Sequence, residues 1–168
     1  MIAAVATLIG FAANAAAVVW EAGDVYEYGT GDFANDYIAF WVDASVTSYD
    51  VAQTKIAAGD VSFITGTTSN GLSVDGYVDP VTVNGYGNGQ SVTGYVVIFN
   101  ASDISSATHA YLSDSFTKAT GPEGQSAVMV FDTSSTEVAS NWAAVPEPTS
   151  GLLLLLGMAG LALRRKQA

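Results

Sequence analysis

Tyr95-Val96-Val97-Ile98-Phe99 is an unbroken run of five aromatic and β-branched residues, closed by Asn100 with Ser102 two positions on. Such a run is too short for a helix, and it has the composition of a strand buried on both faces. Two further runs share the pattern. Tyr37-Ile38-Ala39-Phe40-Trp41-Val42 is closed by Asp43 and Ser45, and Ala127-Val128-Met129-Val130-Phe131 by Asp132 and Ser134. All three read as central strands. They start 58 and 32 residues apart, so they are not turns of a fixed-period solenoid.

Working outward, Val61-Ser62-Phe63-Ile64-Thr65, Leu72-Ser73-Val74-Asp75-Gly76-Tyr77-Val78 and Val81-Thr82-Val83 alternate apolar with polar residues. That alternation predicts strands with one wet face. Turn chemistry separates them: Asn70-Gly71, Asp79-Pro80, and Asn84-Gly85-Tyr86-Gly87-Asn88-Gly89, which reads as a hairpin tip. The one helix candidate runs from Asp50 to Ala58, with Asp50 as N-cap and Gly59 just past its end. Short strands and seventeen glycines predict a mainly β domain, a single antiparallel β-sandwich over residues 18–144. Jelly-roll and immunoglobulin-like strand orders both remain open. Trp142 is expected to pack the end of the domain.

Charge narrows the partners. All sixteen carboxylates lie between Glu21 and Glu147, where only Lys55 and Lys118 oppose them, leaving that stretch at −14. Nucleic acid is excluded as a natural partner, because its affinity comes from Lys and Arg displacing counterions. With no cysteine there are no disulfides, thiolate metal sites or cysteine nucleophiles.

The domain offers little catalytic chemistry. A G-x-S-x-G elbow is absent, and His109 is the sole histidine, inside the strand-like Ala107-Thr108-His109-Ala110-Tyr111-Leu112. Asp24, Glu27, Asp32 and Asp36, with Gly29 and Gly31 among them, form the densest carboxylate group. Oxygen ligands of this kind suit calcium, although the EF-hand spacing is not matched and a solvated acidic loop has the same composition. Tyr26, Tyr28, Tyr77 and Tyr86 are candidates for stacking on sugar rings, a role that competes with ordinary packing in strands.

The two ends are of another kind. Ile2 to Ala13 carry no charge and lead into Ala12-Ala13-Asn14-Ala15-Ala16-Ala17, the pattern of a secretory signal peptide over residues 1–17. Cleavage after Ala15 or after Ala17 satisfies the small-x-small rule. At the other end, Val145 to Ala168 begins with Pro146-Glu147-Pro148 and continues into the uncharged stretch Gly151 to Leu163. This stretch carries Leu152, Leu153, Leu154, Leu155, Leu156, Leu161 and Leu163 and ends on Arg164, Arg165 and Lys166. At helical rise it spans roughly 20 Å, short of the ~30 Å hydrocarbon layer, so length alone does not license a membrane helix. Order does: a basic terminus after an apolar segment stays on the cytoplasmic side and leaves the domain outside.

This order of Pro-Glu-Pro, apolar helix and basic terminus, over residues 145–168, resembles the PEP-CTERM sorting signal of Gram-negative bacteria. The resemblance implies recognition by an exosortase, a membrane-embedded processing enzyme cutting near Pro146-Glu147-Pro148, and an association with the cell surface and extracellular polysaccharide. The expected protein is exported, anchored by helix 151–163 until processed, and non-catalytic in the surface or matrix. A polysaccharide-binding module and a secreted hydrolase are the alternatives, the latter requiring His109 or two carboxylates in one cleft.

Overall fold

The computed structural model describes residues 16–64, 68–71, 76–122 and 124–145. The signal-peptide reading of residues 1–15 and the helix expected at 151–163 lie outside the described residues, among which no helix is long and apolar enough to cross a membrane.

The domain is mainly β, built from two sheets. In chain order the elements are β1 (Ala16–Gly23), β2 (Ile38–Asp43), α1 (Tyr49–Ala57), β3 (Thr68–Gly71), β4 (Val78–Tyr86), β5 (Ser91–Phe99), β6 (His109–Leu112), β7 (Phe116–Ala119), β8 (Ser126–Asp132) and β9 (Trp142–Ala144). One sheet has the order β4-β1-β8; the other runs β3-β2-β5-β6-β9, with β7 also beside β5.

Strand β5 accounts for the apolar run Tyr95-Val96-Val97-Ile98-Phe99. Every residue from Gly94 to Phe99 is buried, because each face of the strand serves a different core. Val96 and Ile98, with Trp41 of β2, face Val18 and Trp20 of β1 and Met129 and Phe131 of β8 across the sandwich. Tyr95, Val97 and Phe99 face the other way, towards Ala52 and Ile56 of α1 and towards Ile64. The helix therefore adds a third layer to the two sheets. It covers Tyr49–Ala57, with Ser48 rather than Asp50 at the N-cap, and Gly59 follows its end at φ +72°.

Several expectations are corrected. The sheets are not wholly antiparallel, since β1 pairs β8 in parallel. Only a tight hairpin forces antiparallel pairing, and these two strands lie at opposite ends of the sequence. The run 127–131 is an edge strand rather than a central one. Its burial alternates, and Val128 and Val130 stand 44% and 56% exposed on the uncovered face of a three-stranded sheet. Valine suits a strand on either face, which is why composition misplaced it. Residues 61–64 are not a strand either, and Thr65 lies outside the described residues: Asp60 Oδ1 accepts the Ser62 N–H at 2.9 Å, and Ser62–Ile64 turns as a 3₁₀ helix. The glycine-rich stretch 84–89 joins β4 to β5, which lie in different sheets, so it is a crossing between sheets and not a hairpin tip.

Strands β6 and β7 flank β5 on one side as a single broken line. At the break, the Ser113 N–H donates to Val96 O at 2.9 Å and Ser113 Oγ accepts the Val96 N–H at 2.9 Å. The buried serine thus stands in for the ladder where the backbone leaves it.

Strand β1 begins earlier than the expected domain boundary at Val18. Ala16 is wholly buried and opposite Tyr86, and Ala17 pairs with Asn84 and Ser126. Of the two candidate cuts, the one after Ala15 leaves this central strand whole. A chain beginning at Ala16 is therefore expected to be more stable than one beginning at Val18 by about 2 kcal/mol, from lost burial and ladder hydrogen bonds. Urea unfolding of the two forms, with intact-mass measurement of exported protein, checks both the stability and the cut.

Candidate functional site

The end of the described chain is built to be firm. Trp142 opens β9 with its Nε1–H donated to Thr136 O at 2.7 Å, and Tyr28, Tyr37 and Tyr111 surround its ring at centroid distances of 5.8, 5.8 and 5.7 Å. Tyrosine and tryptophan can form such a cluster because their polar tips find partners while their rings pack. The Tyr28 N–H donates to the Tyr37 hydroxyl at 2.6 Å, and Tyr111 shares a hydrogen bond with Ser135 at 2.6 Å. From Trp142 the strand pairs with β6, Ala143 opposite Ala110 and Ala144 opposite His109. Val145, still buried, donates its N–H to Thr108 O at 2.8 Å. Thr108 is held in turn, since Asn100 Oδ1 accepts the N–H groups of Thr108 and His109 at 2.9 and 2.8 Å. Pro146-Glu147-Pro148 follows directly in the sequence.

The two termini of the described domain lie at opposite ends. Ala16 stands opposite Tyr86, whose hydroxyl donates to Asp43 Oδ2 at 2.8 Å, and Asp43 pairs with Gly94 near the start of β5. Val145 is held beside Asn100 and His109, past the far end of that same strand.

His109 lies on β6 as expected, half-buried. Its ring stacks on Tyr28 at 4.0 Å, and Nδ1 lies 3.0 Å from Thr108 Oγ1. Its described partners are thus a hydroxyl and an aromatic face, with neither a serine nor a carboxylate among them. Asp24, Glu27, Asp32 and Asp36 share one loop region, in which Tyr26 bridges Phe33 and the Glu27 N–H donates to Asp32 O at 2.8 Å. Asp24, Asp32 and Asp36 are exposed, and the described residues contain no group of three or more His, Asp or Glu placed to hold a metal. The structure therefore does not gather the calcium ligands suggested by their closeness in sequence.

The four tyrosines are held by separate partners. Tyr26 stacks on Phe33 at 4.9 Å and Tyr28 on His109, while the hydroxyls of Tyr77 and Tyr86 donate to Glu21 Oε2 at 2.7 Å and to Asp43. Burial, followed by the hydrogen bond to Asp43, pushes the Tyr86 phenol up to about 12. Burial, followed by the Asp43 charge, does the same for Tyr95, whose hydroxyl donates to Thr47 O at 2.6 Å. Folding thus holds these protons more tightly than the unfolded chain does near its ordinary value of 10. Their stabilisation is complete below pH 10 and is lost as the pH rises through 12. The melting temperature should fall across that window, and a flat profile would contradict the assignment.

The clefts differ in charge. One of about 270 Å³ is lined by Asp43 beside Gln90 and Thr93, and one of about 370 Å³ carries Asp24 and Asp132. A third, of about 250 Å³ between α1 and β9, is lined by Tyr49, Gln53, Leu112, Ser140, Asn141 and Trp142 among others. No reading of the sequence singled out this group.

Residues 144–166 match the model of the PEP-CTERM protein-sorting motif. No curated protein and no solved structure matches the chain. The resemblance read from Pro146-Glu147-Pro148 is thus shown for the tail, and the match starts on Ala144, the last residue of β9.

Proposed function

We propose that the chain is an exported protein, sorted and processed by an exosortase-type enzyme through its tail, whose β domain serves a non-catalytic structural role at the cell surface or in the extracellular matrix. The observation that carries this reading is the sorting-motif match over residues 144–166. It gains physical sense from the junction. A processing enzyme needs an extended, accessible peptide, and Pro146 and Pro148 stiffen the junction and bias the residue before each towards extended forms. That peptide follows directly on Val145, the last buried and hydrogen-bonded position described.

Helix 151–163 would hold the unprocessed chain in the membrane, with Arg164, Arg165 and Lys166 on the cytoplasmic side. From Gly94, near Ala16, to Asn100, near Val145, the two termini are separated by about 20 Å of sheet. An uncleaved apolar segment before Ala16 and an inserted tail in one membrane would force the sandwich to lie flat. Removal of the first segment frees the domain to stand on its tail. The non-catalytic part of the proposal is supported by the partners of His109, a hydroxyl and an aromatic face.

The test replaces Pro146, Glu147 and Pro148 by alanine in the full chain, expressed in a host that has an exosortase. Wild type is expected to lose its tail and leave the membrane fraction, whereas the variant retains tail mass and stays membrane-bound. Equal masses and equal location for the two would overturn the reading.

A further inference from the structure

The cleft between α1 and β9 is an uncharged place on a strongly acidic domain. Tyr49 and Gln53 lie four residues apart and so on one face of α1, while Ser140 and Asn141 end the 3₁₀ turn Ala139–Asn141 just before β9. Leu112, the last residue of β6, and Ala143 of β9 add apolar wall. The Tyr49 ring is held edge-to-face against Tyr95 at 5.5 Å, so it presents a fixed surface. Burial, together with the nearby Asp114 charge, raises its phenol pKa and keeps it neutral. The Gln53 side chain is exposed. The Asn141 amide reaches only Ser135 O, at 3.4 Å.

These groups define a ligand by elimination and by fit. An anion would be repelled by a domain at −13, and a cation would find better partners at the carboxylates that line the two clefts described above. A neutral ligand remains. Aromatic and aliphatic surface on one side, with amides and a hydroxyl on the rim, matches a pyranose ring, whose C–H face is apolar and whose edge carries hydroxyls. A volume of about 250 Å³ admits one such ring at a time, and an open cleft lets a polymer run on at both sides.

We propose that this cleft binds single hexopyranose units of a neutral polysaccharide, with Tyr49 as the platform and Gln53 and Asn141 as the hydrogen-bonding groups. The assignment goes beyond the sorting reading and does not rest on it, since no processing step enters its test.

The experiment titrates the full chain, in a detergent without a sugar headgroup, with dextran, laminarin and galactomannan, and with alginate as the anionic counterpart. Isothermal titration calorimetry is the readout, since Trp20, Trp41 and Trp142 are all buried and would not report the cleft by emission. A saturable change is expected with at least one neutral polymer and none with alginate. Gln53→Ala and Asn141→Ala should each weaken binding about threefold to tenfold, the loss of one net hydrogen bond, with the melting temperature unchanged. Tyr26→Ala, in the loop bridged to Phe33, should bind as wild type. Absence of saturable binding by all three neutral polymers overturns the site. So does equal binding of alginate, or wild-type affinity in both amide variants.

Discussion

Gly94→Ala is expected to cost the domain about 3 kcal/mol or more, lowering its melting temperature by about 10 °C or more. A Cβ at this position would lie 1.7 Å from Trp41 Cη2, 2.2 Å from Cζ3 and 2.3 Å from Cζ2. The indole cannot fold aside as a flexible chain end would, and Phe131 stands behind it with ring centroids 5.8 Å apart. Trp41 pairs with Val96, which makes Gly94 its diagonal neighbour on the same face of the sheet. The glycine is therefore the floor on which the tryptophan lies, and its lack of a side chain is a packing requirement. Two further variants make the test specific. Gly31→Ala, with nothing within 4 Å of its Cβ, should change stability little. Trp41→Phe should recover part of the loss when combined with Gly94→Ala, because the pair shares one contact and their effects cannot add. Additive losses would show that the clash is not the cause.

Contact with Trp41 could not have been read from Tyr95-Val96-Val97-Ile98-Phe99, though the strand itself could. Runs 37–42 and 95–99 were legible because burial on two faces removes all polar alternation, and that leaves a signature in composition. Run 127–131 carries the same signature for another reason, since Val128 and Val130 face solvent on an edge strand. The sense of the β1–β8 pair depends on partners more than a hundred residues away, and the start of β1 at Ala16 on Tyr86, seventy residues away. An alanine-rich segment next to an apolar leader also fits a cleavage region, so the first two strand residues were counted with the leader. The sorting tail was legible because its parts are contiguous and ordered. The cleft was not, because the fold alone brings Tyr49 and Gln53 of α1 to Asn141. Likewise, the acidic residues from Asp24 to Asp36 are close in sequence, yet a loop bridged at Tyr26 and Phe33 does not gather them.

Truncation at the other end should have an effect as large as that at Gly94, and it bears on processing. A chain ending at Val145 is expected to unfold at the same urea concentration as the full domain, whereas one ending at Asn141 should lose most of its stability. The four residues between them include Trp142, whose ring fills the space among Tyr28, Tyr37 and Tyr111. Removing a buried tryptophan costs about 3 to 5 kcal/mol through lost transfer energy and the cavity left behind. The ladder from β9 to β6 goes with it, and Thr136 O and Thr108 O lose the donors Trp142 Nε1 and the Val145 N–H. Each carbonyl left without its donor in a buried setting adds about 1 kcal/mol or more. Set against a total stability of about 5 to 15 kcal/mol, this is most of what holds the native state. An enzyme that cuts at or beyond Pro146 therefore releases an intact domain, and one that cut inside β9 would release an unfolding one. The Trp142 cluster would then set the position of the processing peptide, since it keeps everything before Pro146 paired and out of reach. If the chain ending at Asn141 proves as stable as the one ending at Val145, β9 is dispensable and that constraint on the cut disappears.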